Sequence, residues 1–175
     1  MKQAANTESQ VSSGELIQQL AALLHGGQAH AGFEAAVKDM PVELRGKVPE
    51  DLPYSAWQLV EHLRIAQRDI LNFSAPPTGG YHPLKWPEEY WPESAEPPTA
   101  GAWDGAIAAI RSDREAFVGL LRKPETDLTK PFRWGDGQNL LREALLIADH
   151  TAYHIGELVV LGRLLRAWKQ GPDGE

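Results

Sequence analysis

The chain has 175 residues, 42% of them apolar, and a formal net charge of -7 from 17 Lys and Arg against 24 Asp and Glu. That length and composition suit one domain with a proper core, and the acidic balance sets any nucleic-acid partner against long-range repulsion. The absence of cysteine excludes disulfides, thiolate metal ligands and an enzyme-borne thiol nucleophile, leaving histidine and carboxylate for metal chemistry.

Residues 1–11 are polar and lack the apolar core of a signal peptide, and no uninterrupted apolar run is long enough to span a bilayer. The expectation is a cytoplasmic protein with no membrane partner, one domain over 12–170, and flexible termini at 1–11 and 171–175. Ser12 with Glu15 reads as a capping box, and Leu16, Leu20, Leu23 and Leu24 follow at helical spacing. Gly26-Gly27 weakens this first helix, yet Phe33, Ala36, Val37 and Met40 resume its pattern, so it is expected to run on until Pro41. Three prolines then mark 41–54 as a loop across one end of the fold.

Ser55 and Gln58 form a second capping box, and Leu59, Leu63, Ala66 and Ile70 trace the buried stripe of a second helix, with His62 on the same inward side. From Ser74 to Pro98 come seven prolines and the aromatics Tyr81, Trp86, Tyr90 and Trp91, too proline-rich for a helix and too aromatic for a disordered linker. A loop of this kind reads as a lid, a binding loop or a subunit contact. A third helix is expected from about Ala100 to Lys123, with Trp103, Ile107, Ile110, Phe117 and Leu121 inside and Arg111, Asp113 and Glu115 on its solvent face.

The fourth helix lies within 140–168 and is apolar nearly all round: Leu146, Tyr153, Val160 and Leu164 add a second stripe opposite the first. Such a helix is either central in its fold or shared with another subunit, so a homodimer through this helix is expected. Four helices and no convincing strand give an all-α four-helix bundle, and the long second connection allows an up-down-down-up order beside the simpler meander.

On the fourth helix, His150 and His154 are four residues apart and share a face about 6 Å from one another. With His62 from the second helix they make a three-imidazole set for one divalent metal, leaving coordination positions open for water or a small-molecule substrate. Thr151 stands where a zinc-protease HExxH motif has its glutamate, and the Glu-x-x-His pairs of di-iron bundles are missing. Glu157, three residues past His154, and Glu143, seven before His150, are the candidates to accept the imidazole N–H that faces away from the metal. His30 is a candidate fourth ligand or proton donor.

The stretches Trp57-Gln58-Leu59-Val60-Glu61-His62 and Asp149-His150-Thr151-Ala152-Tyr153-His154-Ile155-Gly156-Glu157-Leu158 resemble the DinB-like superfamily of metal-binding helical bundles, with the likeness running from Leu16 to Trp168. The resemblance implies an up-down-down-up bundle, often dimeric, with one divalent ion, commonly zinc or nickel, held at positions matching His62, His150 and His154. Members include bacillithiol-dependent and mycothiol-dependent transferases and an isomerase of maleylpyruvate, while many have no assigned activity. This chain departs by carrying Glu157 where some transferase members have glutamine or another polar residue. The function expected is a metal-dependent S-transferase or isomerase that uses a low-molecular-weight thiol, with a metal-dependent hydrolase or a non-enzymatic metal or small-ligand binder as alternatives.

Overall fold

Ser12 opens the first helix: its hydroxyl accepts from the Glu15 N–H at 3.2 Å while the Glu15 carboxylate accepts from the Ser12 N–H at 2.9 Å, capping α1 (Ser13–His25). The computed structural model describes residues 12–168, so the termini expected to be flexible lie outside the described residues. Contrary to expectation, the first helix does not reach Met40. Gly26 and Gly27 take φ of 69° and 75°, and two adjacent residues in that region end a right-handed helix rather than merely weaken it. Helix resumes only as the five-residue α2 (Phe33–Val37), followed by a short 3-10 turn at Val42–Leu44.

The capping box at Ser55 starts α3 (Ala56–Ser74), whose buried side includes Leu59, Val60, His62, Leu63 and Ala66. The same cap residues also hold the aromatic loop. Ser55 Oγ donates to the Ala95 carbonyl at 2.6 Å and Gln58 Nε2 to the Pro92 carbonyl at 3.3 Å. Residues 75–101 contain no helix or strand, and these bonds lay the loop against the first turns of α3.

The next helix, α4 (Ala102–Leu121), buries Trp103, Ile107, Ile110, Phe117 and Leu121. Asp113, expected in solvent, is instead 2% exposed and pairs with Arg68 Nη2 at 2.5 Å. Three residues after Ile110 and four before Phe117, position 113 falls inside the core stripe. Burial pushes its carboxyl up from the ordinary range, and Arg68 opposes that shift.

Asn139 accepts from the Arg142 N–H at 2.9 Å and caps α5 (Leu140–Leu164). At 25 residues and mean hydropathy 1.2 this helix is, by length and composition, long and apolar enough to cross a membrane, although Arg142, Glu143, Asp149 and Glu157 interrupt its apolar run. A central core helix has the same composition, and the buried side of α5 carries Glu143 and His154 among its apolar residues. Its other face leaves Leu146, Tyr153, Val160 and Leu164 exposed.

The result is an all-α fold of five α-helices, with no strand among the described residues. Its apolar interior divides in two. One cluster joins α2, the first halves of α3 and α4, and Ile155, Leu158 and Leu161 of α5. The other joins α1, Leu71, the end of α4, and Ala144 and Ile147 of α5. Side chains with no exposed surface, such as Leu59, Phe117 and Leu158, each contribute roughly 1.5–3 kcal/mol of transfer free energy. On α5, His150 and His154 occupy the stretch between these two clusters, while His62 on α3 lies among the residues of the first, between Val60 and Leu63.

Candidate metal centre

Two rigid helices bring the imidazoles together. His62 of α3 and His154 of α5 are 2% and 6% exposed, and His150 is half-buried. Nε2 of His150 lies 3.0 Å from Nε2 of His62 and 3.1 Å from Nε2 of His154. The far side of two rings is already committed. His62 Nδ1–H donates to the Tyr90 carbonyl at 2.9 Å, and His154 Nδ1–H donates to Glu157 Oε2 at 2.5 Å.

A carbonyl can only accept, so the His62 proton is on Nδ1 and its Nε2 lone pair faces the cluster. Burial holds the pKa of His62 below the usual imidazole value. Burial, with the neighbouring His154 and His62 adding to it, lowers that of His150 to about 4. At neutral pH His62 and His150 are therefore neutral imidazoles rather than cations. A single Nε2–H on His150 would have to serve two short contacts at once, whereas one cation serves all three nitrogens. Nitrogens bound to a common ion at about 2.0–2.1 Å stand roughly 2.9–3.3 Å apart, depending on the angle between them, so the donor set fits a divalent metal. Among the described residues, these three are the group whose ligand atoms lie close enough together to hold an ion.

Around the cluster the chain supplies orientation. Tyr54 donates to Glu157 Oε1 at 2.6 Å, steadying the carboxylate that holds His154. Burial and Glu157 push the Tyr54 hydroxyl up, so it stays protonated as a donor. Trp91 stacks on the His62 ring at 3.9 Å and 3°. Neither Tyr54 nor Trp91 carries a sequence signal for this role, because each sits in a loop whose path periodicity does not give.

The other candidates are placed differently. Glu143 is 2% exposed and lines the same cavity as His62 and His150, but its partner is Arg142 Nη1 at 2.5 Å and not an imidazole. His30 is exposed in the turn between α1 and α2, its Nδ1 against the Ala31 carbonyl, and it lines a separate cavity. Asp69, which the sequence reading passed over, also lines the histidine cavity and accepts from the Tyr90 hydroxyl at 2.5 Å and the Tyr81 hydroxyl at 3.3 Å. Its signal was available: it follows His62 by seven residues, two turns on the same face.

A helical fold with a buried cluster of three histidines that could take a divalent ion defines the class, a candidate metal-binding bundle. The family model described as the DinB superfamily matches residues 27–158, and the chain belongs to that superfamily. The match begins at the glycine pair that ends α1 and takes in all three histidines and Glu157. No curated protein and no solved structure matches the chain.

Proposed function

We propose that the protein is a metal-dependent enzyme that holds one divalent ion, zinc or nickel, through Nε2 of His62, His150 and His154, and acts as a thiol-dependent S-transferase or isomerase. The observation that carries this reading is the meeting of three Nε2 atoms within 3.0–3.1 Å contacts while Nδ1 of His62 and of His154 is bonded outward. A bound divalent ion would supply Lewis acidity, lowering the pKa of a thiol or water held beside it. With no cysteine in the chain, the sulfur would come from a low-molecular-weight thiol.

The chain's own groups prepare the site. Glu157 and the Tyr90 carbonyl fix the tautomers of His154 and His62, so their Nε2 atoms stay free to coordinate. Trp91 covers one face of His62 and keeps water from it. A cavity of about 320 Å³ beside His62 and His150 would receive the small-molecule substrate.

The order of the long helices supports the up-down-down-up reading. The first halves of α3 and α4 share one apolar cluster, while Leu71 near the end of α3 packs in the other with Phe117 and Leu121 near the end of α4, which supports a parallel course for the two. We assign the exposed stripe Leu146, Tyr153, Val160 and Leu164 to a homodimer contact through α5. A Val160→Glu variant should turn a dimer into a monomer in light scattering.

Activity is tested by giving the metal-loaded protein small thiols with an electrophile, and separately ester and amide substrates. Thiol-dependent turnover is the expected result. Turnover of the esters or amides alone would make it a hydrolase, and none with either panel would leave a binding protein.

A further inference from the structure

The cavity beside the histidines has a second end with different chemistry. Seven residues make nearly two helical turns, so Asp69 stands on the His62 face of α3 about 10 Å along the axis, and Glu143 stands as far from His150 on α5. All four residues line one cavity, with the imidazoles at one end and the carboxylates at the other.

Aromatic rings wall the carboxylate end. Tyr81 and Tyr90 both donate to Oδ2 of Asp69, leaving Oδ1 with no hydrogen bond from the described residues. An ionised carboxylate can only accept, so both tyrosine hydroxyls act as donors here. Phe73 packs edge-on to Tyr81 at 5.1 Å, and Trp86 tilts against Tyr90 at 5.5 Å. Trp86 is 67% exposed, a large indole at the cavity rim that little of the chain covers.

Charge at this end is negative. Glu143 is buried and bonded to Arg142, whose side chain is 55% exposed and largely solvated. Asp69 and Glu143 against Arg142 leave one carboxylate uncompensated. A carboxylate with one acceptor oxygen left open, set among aromatic rings, suits a cation, because the face of an aromatic ring is its negative side.

We propose that this end binds an alkylammonium group, so that the substrate of the metal centre is an amine-bearing molecule that reaches from the carboxylate end of the cavity to the imidazole end. The second half of that statement rests on the proposed metal function; the ammonium subsite itself does not. A substrate anchored by its own carboxylate would meet Asp69 and Glu143 as like charges.

The test measures binding of choline, of its uncharged carbon isostere dimethylbutanol and of butyrate by calorimetry, on metal-free and metal-loaded protein. Choline should bind at least tenfold more tightly than either of the others. Asp69→Asn, which keeps an acceptor for both tyrosine hydroxyls, should abolish the preference over the isostere while metal content stays at the wild-type level. Trp86→Ala, at a rim position that cannot unfold the core, should weaken choline several-fold. No measurable choline binding, equal binding of choline and dimethylbutanol, a preference for butyrate, or an Asp69→Asn protein with its preference intact would each overturn the proposal. Selective choline binding by a protein that takes up no metal would keep the subsite and remove the metal function instead.

Discussion

Two buried ionisable sites in this bundle differ in one respect. Asp113 is sealed in α4 and meets Arg68 at 2.5 Å, so its partner is supplied by the chain itself. His62, His150 and His154 are bonded outward through Nδ1 of His62 and His154, yet turn their Nε2 atoms on one another at 3.0 and 3.1 Å. The first arrangement has its cation within the chain and needs no function to explain it, although the second oxygen of Asp113, Oδ2, is buried without a partner. The second gathers acceptors without a donor sufficient for them, which is how a site waiting for a cation differs from a structural ion pair.

The largest expected effect follows from emptying the second site. A His62→Ala, His150→Ala double variant should lose metal uptake altogether while remaining helical by circular dichroism, since one imidazole does not hold a divalent ion. Disturbing the first site should do the reverse. Arg68→Met leaves Asp113 buried without its cation and should cost about 2–3 kcal/mol in denaturant unfolding, with metal content unchanged.

A smaller effect separates ligand from support. Glu157→Gln keeps an acceptor for His154 but removes its charge, and should weaken metal affinity by roughly 10–100-fold in competition with a chelator. An equal loss in Asp69→Asn would show that the effect is not specific to the carboxylate on His154.

The two sites should also titrate with opposite sign in the metal-free protein. Burial lowers the pKa of His62, and that of His150 to about 4, so the unfolded chain takes up protons first. Stability is present above the ordinary imidazole value of 6.5 and falls as pH drops from there toward 4. Asp113 has a raised pKa, so its contribution instead declines as pH rises through its folded value. Midpoints in urea recorded from pH 7 to pH 4 should therefore fall for the wild type and fall less for a His150→Gln variant.

The sequence carried the histidine site because all three residues lie on long, strongly periodic helices. Once the capping boxes and apolar stripes are placed, the inward faces of α3 and α5 follow by counting. The expected third helix, about Ala100 to Lys123, compares with Ala102–Leu121 in the structure. Asp113 was legible by position and hidden by chemistry: counting puts it in the core stripe, but a carboxylate reads as solvent-facing until its arginine is seen. The break after α1 was underestimated because each glycine was counted as a local cost, whereas two adjacent positive φ values change the direction of the chain. Tyr54, Trp91 and the Tyr90 carbonyl lay beyond periodic reasoning, since loop residues reach the site by a path fixed only in the fold.

The central claim is that three imidazoles share one cation. Elemental analysis of the purified protein, paired with thermal melts before and after chelation, addresses it directly. One divalent ion per chain, removed by chelator with a marked fall in melting temperature and restored on adding zinc or nickel, is the result this account predicts. A protein that carries no divalent metal, takes up none, and melts at the same temperature with chelator as without would contradict it.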